Sequence, residues 1–112
     1  MADDLNLPER SLTIAIDYDL TFTADPTLWR AFMHLAEVRN HSVICVTGRL
    51  TPPGPNEPSI PCPVICCRDS EPKRRAAARH RIDVDIWIDD CPGMIEPSRL
   101  LNFSDDAEVS RG

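Results

Sequence analysis

Ser11-Leu12-Thr13-Ile14-Ala15-Ile16-Asp17-Tyr18-Asp19-Leu20-Thr21 is the stretch that decides the reading of this chain. Residues 11–16 form a nearly continuous apolar and β-branched run, the pattern of a strand buried on both faces. Two aspartates follow at once, so the acids sit at the strand's carboxyl end. The arrangement recurs. Residues 42–46 read as a second buried strand ending at Thr47-Gly48-Arg49, and residues 64–67 as a short third. Residues 85–88 make a fourth, terminating at Asp89-Asp90, and residues 99–103 offer a fifth.

Helical segments lie between these runs. Asp25-Pro26 is a good helix start, because aspartate caps free amides and proline fits the first helical position. The helix is predicted to reach about residue 39, with Leu28, Phe32, Leu35 and Ala36 as its apolar stripe and Arg30, Glu37 and Arg39 toward water. Asn40-His41 makes the turn that follows. Asp69-Ser70-Glu71-Pro72 leads into a second helix from Lys73 to about His80, in which Ala76, Ala77 and Ala78 allow close packing. It ends beside Arg81, where a glycine would be more comfortable. Pro52, Pro53, Pro55, Pro58, Pro61 and Pro63 exclude a helix interior or a central strand from residues 50–63, leaving a stiff surface loop.

Strands alternating with helices predict an α/β fold, a three-layer sandwich around a parallel, Rossmann-like sheet. A chain of 112 residues is enough for one such domain and too short for two with separate cores. The ordered core is predicted at about residues 11–103, with residues 1–10 and 104–112 flexible. Ligands of parallel sheets bind beyond the carboxyl ends of the strands, where Asp17, Thr47 and Asp89 are expected to converge.

Composition limits the partners. Twelve basic residues against 18 acidic ones give a net charge of −6, which does not indicate general attraction to nucleic acid or anionic membrane. Any anionic ligand must be held locally, for which residues 73–81 supply a basic surface. No apolar run approaches the length of a membrane span, and the amino terminus lacks the pattern of a signal peptide, so the expected location is cytoplasmic. The 5 cysteines, an odd number, argue against a disulfide framework. A zinc site drawn from Cys62, Cys66 or Cys67, Cys91 and one of His34, His41 or His80 is conceivable, but no C-x₂-C pair is present.

Asp17 and Asp19, one residue apart, can place two acidic groups beside one cation. Neighbouring carboxylates repel, so the pair calls for a hard divalent ion such as Mg²⁺ or for compensating hydrogen bonds, and Asp89-Asp90 can supply further ligands. Strand-end aspartates also cap loops, but two such sites on strands expected to be neighbours are harder to assign to loop solvation. Thr47 offers a hydroxyl and Gly48 an open amide for phosphate oxygens, or simply a turn. Arg49 holds either substrate or a surface carboxylate. Lys73 begins its helix, where the macrodipole disfavours a cation, so it needs a partner such as Asp17, Asp89 or a phosphate.

Asp17-Tyr18-Asp19-Leu20-Thr21 resembles the D-x-D-x-T signature of haloacid-dehalogenase-like phosphatases. Thr47-Gly48-Arg49, Pro72-Lys73-Arg74 and Asp89-Asp90 are similar to that family's second, third and fourth motifs, in order. The resemblance implies a covalent mechanism in which Asp17 attacks phosphorus, Asp19 protonates the leaving oxygen, and Asp19 then activates water. It implies Mg²⁺ held by the Asp17 carboxylate, the Asp19 backbone carbonyl and Asp89, with Asp90 a ligand through water or a supporting partner. Thr47 and Lys73 would stabilise the transferring phosphoryl group, Gly48 and Arg49 would bind substrate, and Thr21 would brace the first loop.

The intervals between motifs leave no room for a cap domain. An open site suits a phosphorylated small molecule (a nucleotide or sugar phosphate) or a polymer end, or closure by a second copy in a homo-oligomer. The alternative function is a catalytically silent protein of the same fold that binds a phosphorylated ligand or a protein partner. A third reading has the proline-rich loop docking on a partner groove.

Overall fold

The computed structural model describes residues 6–96, so the expected fifth strand at residues 99–103 lies outside the described residues. Four strands, β1 (Thr13–Ile16), β2 (Ser42–Thr47), β3 (Val64–Cys66) and β4 (Ile86–Ile88), form one sheet in the order β3-β2-β1-β4. All pairings are parallel. Two helices, α1 (Pro26–Val38) and α2 (Lys73–Arg79), join them, with short 3-10 turns at Phe22–Ala24 and Pro92–Met94. The fold is α/β, compatible with a Rossmann-like sandwich.

The central strands owe their position to their composition. In β1, Ile14, Ala15 and Ile16 are all buried, and in β2 so are Ile44, Cys45, Val46 and Thr47. Alternation sends them to opposite faces. Ala15, Ile44, Val46 and Ile65 pack with Ala76 and Ala77 of α2, whereas Ile16 and Cys45 pack with Tyr18, Phe22 and Met33 on the α1 side. Small side chains at 15, 76 and 77, each essentially without exposed surface, let α2 lie close against the sheet. That closeness brings Lys73 to the strand tips.

In α1, the Asp25 carboxylate accepts from the Leu28 amide at 3.2 Å, and Pro26 opens the first turn as predicted. Its buried face keeps Phe32 and Ala36 of the expected stripe but not the two leucines. Met33 and Ala36 are buried and Trp29 and Phe32 pack beside them, while Leu28 and Leu35 are exposed. The true stripe follows positions 29, 32, 33 and 36, one residue out of phase with the Leu28–Leu35 pair. Burying the indole of Trp29 and the Met33 side chain removes more apolar surface from water than the two leucines would. Asn40, at φ 69°, ends the helix in the left-handed region that asparagine tolerates.

Element ends shift by a residue or two from expectation: β1 starts at Thr13, β3 stops at Cys66, β4 starts at Ile86 and α2 stops at Arg79. Asp85 precedes β4 because its side chain serves another purpose, accepting from the Thr13 amide at 2.8 Å and from Arg10 at 2.9 Å. Residues 50–63 contain neither helix nor strand, in keeping with their prolines. No helix among the described residues is long and apolar enough to cross a membrane.

Candidate functional site

Register places the acids. Ile16 pairs with Ile88, so the residues that follow, Asp17 and Asp89, leave adjacent strand tips together, and the Asp17 amide donates to the Ile88 carbonyl at 2.9 Å. A carboxylate oxygen from each of Asp17, Asp89 and Asp90 lies within 4.8 Å of the others. Lys73 enters from the start of α2 and donates to Asp17 at 2.7 Å and Asp89 at 2.6 Å. Its ammonium-bearing side chain is only 4% exposed, and those of Asp17 and Asp89 are 8% and 2%. An isolated buried ammonium is too costly to persist, so the lysine's sequence position at a helix start is explained by these two partners.

The electrostatics follow. Burial pushes the Asp17 carboxyl up to about 6; the Lys73 hydrogen bond opposes this, while the neighbouring Asp90 carboxyl and the charge of Asp89 add to it. Burial also works against the Lys73 ammonium, but Asp17 and Asp89 outweigh it and its pKa lies above the ordinary value. Thr21 lies between two of the acids: its hydroxyl is 3.3 Å from both Asp17 and Asp90 and accepts from the Asp90 amide at 3.2 Å. The Cys91 amide donates to Asp89 at 2.8 Å. Thr21 thus braces the first loop as predicted, and joins it to the loop after β4.

Asp19 is elsewhere. Its carboxylate takes a two-pronged contact from Arg49, Nε to Oδ2 at 2.9 Å and Nη2 to Oδ1 at 2.8 Å, and is not in the acidic triad. Of the two readings of Arg49, the carboxylate partner is the observed one. Arg49 also donates to Glu57 of the proline-rich loop at 2.9 Å, and its guanidinium lies 5.0 Å from the centre of the Tyr18 ring. The hydrogen bond from Arg49, then that from the Gly54 amide, holds the Glu57 carboxyl down at about 2. Thr47 is fully buried, and its hydroxyl accepts from the Arg49 amide at 3.2 Å.

A cleft of about 460 Å³ opens over this cluster, lined by Asp17, Asp19, Gly48, Lys73, Asp89 and Asp90 among others. Gly48 and Arg49 border it; Thr47 does not. Three carboxylates against one ammonium leave an excess of hard anionic oxygens in a small volume, a donor set that could hold a hard cation. Among the described residues no cysteine or histidine joins a potential metal cluster, so the zinc combination does not assemble. The cysteines are free; burial pushes the Cys62 thiol up to about 11 and raises Cys45 further still.

Three residues carry parts of the site that sequence reasoning did not single out. Glu57 had no local signal, because its partner is reached only when the loop folds back. Tyr18, between the two aspartates, is fully buried and its hydroxyl donates to the Pro58 carbonyl at 2.6 Å. Glu71 accepts from Arg79 at 2.7 and 2.8 Å and from the Arg68 amide at 2.9 Å, a clamp across the loop that leads into Lys73. Comparisons with protein-family models, with curated proteins and with solved structures found no match.

Proposed function

We propose that this chain is a capless, Mg²⁺-dependent phosphohydrolase of the haloacid-dehalogenase-like kind, acting on a phosphomonoester. The observation that supports it most is the meeting of Asp17, Asp89 and Asp90 around one point, with Lys73 bonded to two of them. In this reading Asp17 attacks phosphorus, forming an aspartyl-phosphate as the bond to the leaving oxygen breaks. Asp19 gives that oxygen its proton. Asp19 then takes a proton from water, whose oxygen attacks the aspartyl-phosphate and releases phosphate and free Asp17.

Asp17, Asp89 and Asp90 would hold Mg²⁺, which when bound neutralises charge on the phosphoryl oxygens. Lys73 stabilises the same oxygens from the other side, and the Gly48 amide at the cleft edge is available as a further donor. Thr47 acts one step removed, by holding the Arg49 backbone. The open cleft accommodates a nucleotide, a nucleic-acid end or a sugar phosphate. A second reading, a phosphate-binding protein without turnover, draws on the engagement of Asp19 by Arg49.

Assay of p-nitrophenyl phosphate and a panel of nucleotides, sugar phosphates and phosphorylated oligonucleotides, with and without Mg²⁺, tests the proposal. Metal-dependent turnover removed by Asp17→Asn is the expected result. Binding of phosphorylated ligands with no turnover of any would establish the second reading instead.

A further inference from the structure

Helix α1 carries two apolar stripes, and only one of them meets the sheet. Trp29, Phe32, Met33 and Ala36 form the inner one. The outer one consists of Leu28, Ala31, Leu35 and Val38, turned about 130° around the helix axis from the first. All four are exposed, the leucines by 54% and 61% and the valine by 59%. Their spacing, at positions 28, 31, 35 and 38, is that of a coiled-coil seam, which keeps the side chains in one narrow strip facing a second helix. Taking such a strip out of water is favourable. None of its residues lines the cleft over Asp17.

The charges at the ends of the strip select what covers it. Asp25 lies one turn before Leu28, and Arg39 follows Val38. The Asp25 Oδ1 accepts from the Leu28 amide, and the Arg39 Nη2 donates to the Asn6 carbonyl at 3.2 Å; each side chain keeps further atoms that no other described residue engages. The strip is therefore negative at its start and positive at its end, a pattern that complements itself when reversed. Two copies laid antiparallel about an axis between residues 31 and 35 set Leu28 against Val38 and Ala31 against Leu35. Asp25 then meets Arg39 of the other copy, and Arg30 comes level with Glu37. The small Ala31 leaves room for the facing leucine, and the helix dipoles oppose one another. A parallel pair would instead set like charges together at both ends.

We propose that α1 is the interface of an antiparallel homodimer, in which this outer strip packs on its own copy with two-fold symmetry. The inference is independent of the phosphatase reading. Leu7, 47% exposed and next to the Asn6 carbonyl that Arg39 holds, adds apolar surface at that end. Four side chains per copy bury less than the roughly 800 Å² per partner of a standard interface, so the association is of the transient class, with a Kd of about 10–500 µM. The strip lies outside the cleft, so this second copy is no lid over the acids.

Sedimentation equilibrium of the full chain, from about 10 µM to 1 mM, tests the proposal across that range of affinity. Wild-type protein is expected to pass from monomer to dimer. Leu35→Glu is expected to raise the Kd about 100-fold or more and so to stay monomeric throughout, because the two-fold axis replaces two buried leucines at once. Its thermal midpoint in dilute solution should match wild type, since residue 35 is exposed in a single copy. Arg39→Gln and Asp25→Asn, the latter still a good helix cap, should each weaken the dimer by about 2- to 10-fold at low salt. Wild-type protein that stays monomeric to the highest concentration, or a dimer indifferent to Leu35→Glu, would overturn the proposal. Tightening by the two charge variants would overturn the antiparallel arrangement. A lowered midpoint of dilute Leu35→Glu would also count against the proposal, by showing that the strip is covered within one copy.

Discussion

The Lys73 ammonium lies 2.7 Å from the Asp17 carboxylate, although 56 residues separate them in the chain. With Asp89 at 2.6 Å on its other side, this one cation holds two buried strand-tip acids together. Lys73→Met would leave both carboxylates buried without their counter-charge, at a cost of about 3–5 kcal/mol. Urea unfolding measures it, and a loss below about 1 kcal/mol would show that the acids are better solvated than their burial indicates.

Magnesium is expected to raise the thermal midpoint of the wild-type protein, since a ligand at 100 times its dissociation constant adds about 2.7 kcal/mol. Chelation should reverse the rise. Asp89→Asn and Asp90→Asn should diminish it, whereas Asp19→Asn should retain most of it, because that carboxylate is bonded to Arg49 and lies outside the triad. A metal effect indifferent to residues 89 and 90 would locate the ion elsewhere.

The Glu71–Arg79 clamp carries a pH signature. Its hydrogen bond from Arg79, then that from the Arg68 amide, lowers the Glu71 carboxyl from 4.5 to about 2. A depressed carboxyl stabilises the fold fully above its unfolded pKa, and the contribution is lost as pH falls through the folded one. The gap in thermal midpoint between wild type and Glu71→Gln should therefore be widest near neutrality and close between about pH 4.5 and 2. A gap that stays constant across that range would mean the carboxylate charge contributes nothing.

Arg81 has φ 61°, in the left-handed region that costs a residue with a Cβ about 1–2 kcal/mol. Arg81→Gly should stabilise the protein, by up to about 1 kcal/mol once glycine's greater unfolded freedom is subtracted. Denaturant midpoints would check this, and a destabilised variant would point to an unrecognised contact of the arginine side chain.

Much of the scaffold was legible because it depends on short-range pattern. The β-branched runs at residues 13–16 and 42–47, the Asp25-Pro26 helix start and the proline-rich loop are each decided by neighbours a few residues away. The phase of α1 was less legible, since Leu28 and Leu35 have the same helical spacing as residues that are buried. Only packing against Ile16 and Cys45 selects Trp29 and Met33. For the site, Lys73 could be flagged as electrostatically awkward, but not matched to its partners by distance. Glu57 could not be flagged at all, because a carboxylate in a polar loop is ordinary until the loop's path is known.

The chain alone therefore determined the order of strands and helices and the placing of acids at strand ends, because backbone preference and burial period act locally. The strand order β3-β2-β1-β4 and the side-chain directions decided what those acids do. They set Asp17 beside Asp89 and Asp90, gave them Lys73, and turned Asp19 toward Arg49 and Glu57. Such pairings join residues as many as 73 positions apart, as Asp17 and Asp90 are, and ion-pair and hydrogen-bond energies depend on distances of a few ångströms that no local pattern records.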